Sequence, residues 1–324
     1  MHYNKDFEVL CEQNIRFKKS SLLKFSLYKN SLFRTIKPFN YTRYNQALKA
    51  NQWIDFDDIL IYFLNISKKN LIFFNHILVD EFQDTNALQF AVLKHLIDPK
   101  THVFAVGDPD QAIYRFRGSC KAIIERFIKT FQAQVYLLKI NYRSKRSILQ
   151  LANRLILSHK TKYSKMLMAN ETASGHLAYN IYPTEEIEAI SIINAIKTYI
   201  TKGVKAHDIA IIYRNHFRAH TLKYFLNSND LRYTIDDKRE GFLNCLTMHQ
   251  SKGLEFNVVF IMGIEQQIIP SRRILQVEGK HEERRLLFVA ITRAKDSLHL
   301  SRVKVGLQGQ HLNASCFVKE CGLR

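Results

Sequence analysis

Short apolar runs that end on polar residues alternate along this chain with stretches spaced at helical intervals, and that alternation predicts most of its elements. Ile77, Leu78 and Val79 form a continuous apolar run of the kind that fills a strand buried on both faces. The run ends on Asp80 and Glu81, and a helix follows over Ala87 to Ile97, closed by Asp98–Pro99. VFAVGD, Val103 to Asp108, predicts a second strand, Lys121 to Phe131 a helix, and VYLLKI, ending before Asn141, a third strand. Ahead of these, residues 1–50 hold no glycine and place Leu22, Leu23, Phe25, Leu27 and Tyr28 at loose helical spacing, which predicts a small helical region. The string IDFDDIL, Ile54 to Leu60, leads into a further helix, with Trp53 read as a packing residue.

From about residue 145 the pattern restarts. Helices are predicted over Ile148 to Ser158, Glu185 to Ile200, a stretch ending near Leu226, and Glu282 to Lys295. Between them HLAYNIYP, DIAIIYRN, LNCLTMHQSKG, VVFIMGI and SLHLSRV read as strands, and Ala169 to Gly175 as a loop. Strands alternating with helices imply parallel sheets and an α/β class. No apolar run approaches the roughly 18 residues of a membrane span, and the opening MHYNKDFEVL lacks a signal-peptide core. The five cysteines are scattered without a CxxC, which indicates neither a zinc site nor a disulfide framework and points to the cytoplasm.

Charge changes the picture. Lys and Arg number 48 against 29 acids, a formal net charge of +19. Such an excess favours a polyanion, nucleic acid first, as partner. A lysine bias that accompanies the abundant Asn, Ile and Phe accounts for it equally well.

The candidate chemistry lies where the predicted strands end. Asp80 and Glu81 stand at the carboxyl end of a strand, the edge at which ligands bind in open α/β sheets. One carboxylate there can hold Mg²⁺ while the other takes a proton from an attacking water. DEFQDT, Asp80 to Thr85, resembles the Walker B motif of UvrD/Rep-type superfamily 1 DNA helicases, and DFDD precedes it as in that family. VGDPDQAIYRFRGS (106–119) resembles motif III, LKINYRS (138–144) motif IV, TMHQSKGLEF (247–256) motif V, and EERRLLFVAITRAKD (282–296) motif VI. Together these motifs span about residues 53–296, roughly three quarters of the chain.

The resemblance implies two RecA-like modules of P-loop NTPase type with parallel sheets, the first incomplete, plus the short helical N-terminal region. The expected divisions are 1–52, 53–144 and 145–324. It also implies ATP and Mg²⁺ as ligands, single-stranded DNA as partner, and 3′–5′ translocation with duplex unwinding in repair or replication. By the same resemblance Asp80 binds the metal, Glu81 is the catalytic base and Gln111 senses the terminal phosphate. Tyr142 stacks on adenine, Glu255 meets the ribose, and Arg143 and Arg293 reach the γ-phosphate. Tyr114, Phe116, Arg117 and His249 meet DNA, with Phe116 where the family usually has tryptophan.

One part is missing. No string GxxxxGK followed by Ser or Thr occurs, and the only Gly–Lys pair, Gly279–Lys280, is followed by His281. The family's backbone cradle for phosphates is therefore absent from these residues. The motifs that should precede DFDD are absent too, and a short connection between Phe225 and Leu246 stands where the family has a large helical insert. The expectation is a truncated helicase that starts part-way through the first inserted subdomain and is inactive alone. Other readings stay open: a catalytically dead single-strand-binding protein, half of a split helicase with a separate P-loop polypeptide, or a fragment of a broken gene.

Overall fold

The computed structural model describes residues 17–66, 74–114, 122–158, 166–170, 172–236, 238–272 and 277–323, which divide into two compact units, Met1–Val135 and Tyr136–Arg324. In the first unit, helices α1 (Lys19–Asn30) and α2 (Tyr41–Ala50) fall in the helical region the sequence predicts, and α3 (Phe56–Ile66) is the further helix expected at IDFDDIL. Its core is aromatic: Phe17, Phe25, Tyr41 and Tyr44 meet largely edge to face, and Trp53 packs against them. The DFDD string ties this region down. Lys29 is fully buried and reaches Asp55 Oδ2 and Asp58 Oδ1 at 2.6 Å each, while Tyr44 donates to Asp55 Oδ2 at 2.8 Å. Burying an ammonium is far less costly where carboxylates pair with it.

β1 (His76–Val79) and β2 (His102–Ala105) pair in parallel, His76 opposite His102 through Val79 opposite Ala105. α4 (Ala87–His95) and α5 (Ile123–Phe131) cover one face, on which Ile77, Val79, Val103 and Ala105 pack against Phe82, Phe90, Leu93 and Phe127. The other face is open: Leu78 is 76% and Phe104 59% exposed. The expectation of a strand buried on both faces therefore fails, because among the described residues apolar partners pack on only one side of this two-stranded sheet. VYLLKI also departs from its reading. Only Ile140–Asn141 (β3) pairs, with Met168–Ala169 (β4), while Tyr136, Leu137 and Leu138 are exposed and pair with no strand among the described residues.

The second unit holds a six-stranded sheet. Its strands are β5 (His176–Tyr182), β6 (Ile209–Tyr213), β7 (Tyr233–Thr234), β8 (Leu243–Thr247), β9 (Phe256–Ile261) and β10 (Ala294–Val303), in the order β5-β10-β9-β6-β8-β7 and parallel throughout. The apolar run of β6 is buried at every position, as a central parallel strand requires. α6 (Arg146–Leu157), α7 (Glu185–Thr201), α8 (His220–Ser228), α9 (Val277–Ile291) and α10 (Cys316–Glu320) complete the unit. Ile192, Ile196, Leu222 and Leu226 of α7 and α8 close the core over Ile211, Val258 and Phe260. The EERR run of α9 is no solvated face. Glu283 binds Arg214 at 2.6 Å, and Arg284 binds Glu320 at 2.7 Å, all but Arg214 and Glu320 buried below a tenth exposure.

Candidate functional site

The first cluster forms where β1 and β2 end. Asp80 and Glu81 are exposed, and Asp80 Oδ1 accepts from the Glu81 amide at 2.8 Å. Glu81 sits in the left-handed region at φ 49°, a conformation a non-glycine residue holds only where its surroundings impose it. The imposition is visible. A one-turn helix, Phe82–Asp84, buries Phe82 and Gln83 directly after it. Gln83 Nε2 donates to Glu81 Oε2, Gln83 Oε1 accepts from the Asp108 amide at 2.9 Å, and Gln111 Nε2 donates to Asp108 Oδ2 at 3.0 Å. One hydrogen-bonded chain thus joins Glu81 to Gln111 through Gln83 and Asp108. The approach is close at Gly107, where a Cβ would lie 2.8 Å from Gln83 Oε1. Gln83 and Asp108 lie within the DEFQDT and GDPDQ strings, but only their contact across 25 positions gives them this linking part.

Among the described residues no group of three or more His, Cys, Asp or Glu side chains is placed to hold a metal ion. Mg²⁺ is commonly held by one or two carboxylates together with substrate phosphates and water. A single exposed Asp80 at a strand end fits that kind of site. It does not fit a closed protein cage.

The second cluster forms in the second unit at the opposite edge of its sheet. Glu255 directly precedes β9 and Lys295 is the second residue of β10, so both lie at the amino end of their strands. The NYRS turn is fastened there. Asn141 Oδ1 accepts from the amides of Arg143 and Ser144 at 3.0 and 2.9 Å, Ser144 Oγ donates to Ala294 O at 2.6 Å, and the Lys145 amide donates to Lys295 O at 2.9 Å. These bonds explain the Asn and Ser of the string. They leave Tyr142 78% exposed and aim Arg143 at Glu255, Nε to Oε2 at 2.7 Å. Lys295 Nζ meets the other carboxylate oxygen at 2.5 Å. Ile140, Asn141, Tyr142, Arg143, Glu255 and Lys295 line a cavity of about 490 Å³.

The hydrogen bonds from Lys295 and Arg143 hold the Glu255 carboxyl down to about 2. Both its oxygens are engaged by cations, so a ribose hydroxyl reaching Glu255 must share or displace one of them. In an NMR pH titration the Glu255 carboxyl is expected to titrate near 2 and, in Lys295→Ala, to move up toward the ordinary 4.5. An unmoved midpoint in that variant would show that Lys295 does not hold it.

The remaining candidates lie elsewhere. Arg293 is 2% exposed and donates from Nε to Val289 O at 2.9 Å and from Nη1 to Leu254 O at 3.1 Å, so in this conformation its guanidinium closes the end of α9. His249 lies in the turn after β8, at the carboxyl edge, where Thr247 and Gln250 fix the turn through Gln250 Oε1. It is not brought to the Arg143 cluster. Tyr114, within the motif III loop, is half-buried, and Phe116 and Arg117 lie outside the described residues.

Two family models match the chain. That for the UvrD/REP helicase N-terminal domain covers residues 4–132, and that for the UvrD-like helicase C-terminal domain covers residues 136–244 and 238–305. Among curated proteins, a "Probable DNA helicase" of Mycoplasma pneumoniae is 31% identical over 98% of this chain and 61% of its own length. A "Probable DNA helicase II homolog" of Mycoplasma capricolum is 36% identical over 54% of this chain and 25% of its own length. "ATP-dependent DNA helicase PcrA" of Staphylococcus aureus is 32% identical over 60% of this chain and 28% of its own length. The alignments thus span 61% of the first relative and far less of the other two.

Proposed function

The chain belongs to the UvrD/Rep family of DNA helicases, and on that premise we propose that it carries the hydrolytic acids and an arginine finger of an ATP-driven 3′–5′ translocase on single-stranded DNA, serving repair or replication. The observation that carries this reading is the chain of bonds from Glu81 through Gln83 and Asp108 to Gln111. It couples the residue suited to deprotonate water with the residue suited to sense the terminal phosphate. Gln83 holds the Glu81 carboxylate by one oxygen and leaves proton acceptance to the carboxylate as a whole. Asp80 anchors Mg²⁺, which when bound neutralises charge on the outer phosphates. Tyr142 offers an exposed ring for the adenine, and Arg143 supplies a cation for charge developing in transfer, an effect of about 10³–10⁵ in rate where such fingers act. Arg293 contributes to the phosphates only if it leaves its main-chain acceptors.

No string GxxxxGK followed by Ser or Thr occurs in these 324 residues. ATP turnover therefore requires one supplied from elsewhere, on a separate polypeptide or a longer chain. Single-strand binding does not. The cytoplasm suits the cysteines, since Cys245, Cys316 and Cys321 are free and burial pushes the Cys245 and Cys321 thiols up to about 12. No helix among the described residues is long and apolar enough to cross a membrane.

The test is titration of a labelled oligonucleotide without ATP at two salt concentrations. Affinity is expected to fall steeply with salt through counterion release, and Phe116→Ala is expected to weaken binding by about 1–3 kcal/mol through loss of a stacked base. No binding at low salt would overturn the reading.

A further inference from the structure

Two other arginines of the second unit grip their carboxylates with a fork. Arg284 sets Nε and Nη2 on the two oxygens of Glu320 at 2.7 and 2.9 Å, and Arg214 sets Nε and Nη2 on Glu283. Two-pronged pairs of this kind are the strong ones. Arg143 holds Glu255 differently. Only Nε donates, to Oε2 at 2.7 Å, and neither terminal nitrogen meets an acceptor among the described residues. Its guanidinium therefore lines the cavity of about 490 Å³ with both of those ends uncommitted.

Lys295 takes the other oxygen, Nζ to Oε1 at 2.5 Å, and among the described residues Glu255 is the only acid it pairs with. The backbone sets its place. From Ala294 to Ser297 β10 advances three residues while β9 advances two, Phe256 to Val258, so one extra residue interrupts the ladder at Lys295–Asp296. Interruptions of this kind re-aim side chains. The Lys295 carbonyl accepts from the Lys145 amide and the Ala294 carbonyl from Ser144 Oγ, which fastens the strand start that carries Lys295 to the turn that carries Arg143. Asp208, a second acid at this edge, has its own cation in Lys238, Nζ to Oδ1 at 2.8 Å, with His207 Nε2 at 3.9 Å from Oδ2.

Two cations on one carboxylate mean that one can leave without stranding a charge. An incoming triphosphate draws on the cation that is held by a single bond and has free donors, which is Arg143. Without Lys295, that departure would leave Glu255 unpaired beside an anionic ligand, an arrangement that like charges disfavour. Resting on the reading of Arg143 as the arginine finger, we propose that Lys295 is its positioning residue. Lys295 keeps Glu255 ionised and in place while Arg143 exchanges that carboxylate for the phosphates of a nucleotide.

The experiment is NMR of the 324-residue chain with inorganic tripolyphosphate as the probe, at constant ionic strength. Two signals are followed, the Arg143 Nε–H and the Glu255 carboxyl carbon, assigned by their loss in Arg143→Lys and Glu255→Gln. In wild type the Arg143 signal is expected to move with the probe while Glu255 stays ionised at about pH 4.5, its ordinary midpoint. In Lys295→Ala and Lys295→Gln the half-saturation concentration is expected to rise about 3- to 10-fold. The Lys295 and Arg143 hydrogen bonds together hold the carboxyl near 2 instead of 4.5, each unit is about tenfold, and solvent weakens the part due to Lys295. At saturation in these variants Glu255 is expected to be about half protonated at pH 4.5, and Lys295→Arg is expected to restore both readouts. A half-saturation concentration unchanged in both neutral variants would overturn the proposal and leave the finger reading standing. So would a wild-type Glu255 that takes up a proton as the probe saturates, since Lys295 would then have gone to the phosphates with Arg143. An Arg143 signal that ignores the probe in every protein would overturn the finger reading and the proposal together.

Discussion

Replacing Arg218 with methionine is expected to destabilise the second unit by about 3–5 kcal/mol, the usual consequence of removing one partner from a buried ion pair. Arg218 is 1% exposed and is the single cation among three buried glutamates. Nη2 reaches Glu188 Oε2 at 2.6 Å and Glu265 Oε1 at 2.9 Å, and Nη1 reaches Glu185 Oε2 at 3.5 Å. The acids extend the cluster outward: Ser301 Oγ donates to Glu188 at 2.6 Å and the Val303 amide to Glu265 at 2.9 Å, so α7, β10 and the segment after β9 all depend on it. Gly263 is fitted to the arginine, since a Cβ there would lie 2.8 Å from Arg218 Cγ at φ 79°.

The pH dependence of that variant has a definite sign. Burial raises the Glu185 and Glu188 carboxyls, and Arg218 opposes the rise. Without the arginine the folded state holds these protons more tightly than the unfolded chain. Stability conferred by a raised acid is present below its ordinary 4.5 and is lost as pH rises through the folded value. The Arg218→Met protein is therefore expected to gain stability relative to wild type as pH falls toward 4.5. Urea unfolding of both proteins at neutral pH and near pH 5 measures it; a deficit that is small, or that widens on acidification, would contradict the cluster's role.

A second large effect is expected at Glu81. Mixed with a polypeptide that carries GxxxxGK followed by Ser or Thr, the chain should gain DNA-stimulated ATP hydrolysis, and Glu81→Gln should lower that rate by about 10²–10⁴, the range of a positioned general base. Glutamine keeps the size and the contact to Gln83, so assembly and DNA binding should survive. A rate unchanged by the substitution would assign the base to another residue.

The long strands and helices of the second unit were legible, because parallel strands buried on both sides read as unbroken apolar runs, IAIIY above all, whereas the short β4, β7 and α10 were not. The same rule misled at Ile77–Val79, since a run of apolar residues cannot say whether a second layer covers its other face. VYLLKI failed for a related reason. Strand propensity is legible locally, whereas pairing depends on a neighbour that the sequence of the strand does not contain.

The acids at Asp80 and Glu81 stood out by their position at a strand end. Arg218, Gln83 and Lys295 did not, because their partners are distant in sequence: Arg218 meets glutamates 30 and 47 positions away, and Gln83 meets Asp108 across 25. Glu255 was read as a ribose contact. Only the fold shows that Arg143 and Lys295 already engage it.

Asp80, Glu81 and Arg143, proposed above as the acids and arginine finger of a helicase ATPase, stand in a sequence with no GxxxxGK followed by Ser or Thr to hold the phosphates. Phosphoryl transfer needs the triphosphate positioned in line, and transition-state charges act only on a positioned substrate. Phosphate release by the purified 324-residue chain, with and without single-stranded DNA, tests this directly when Asp80→Ala is run beside it to register contaminating activity. The account predicts no DNA-stimulated release above that of the variant. Stimulated release that disappears in Asp80→Ala would contradict it, and would mean that this chain holds the phosphates itself.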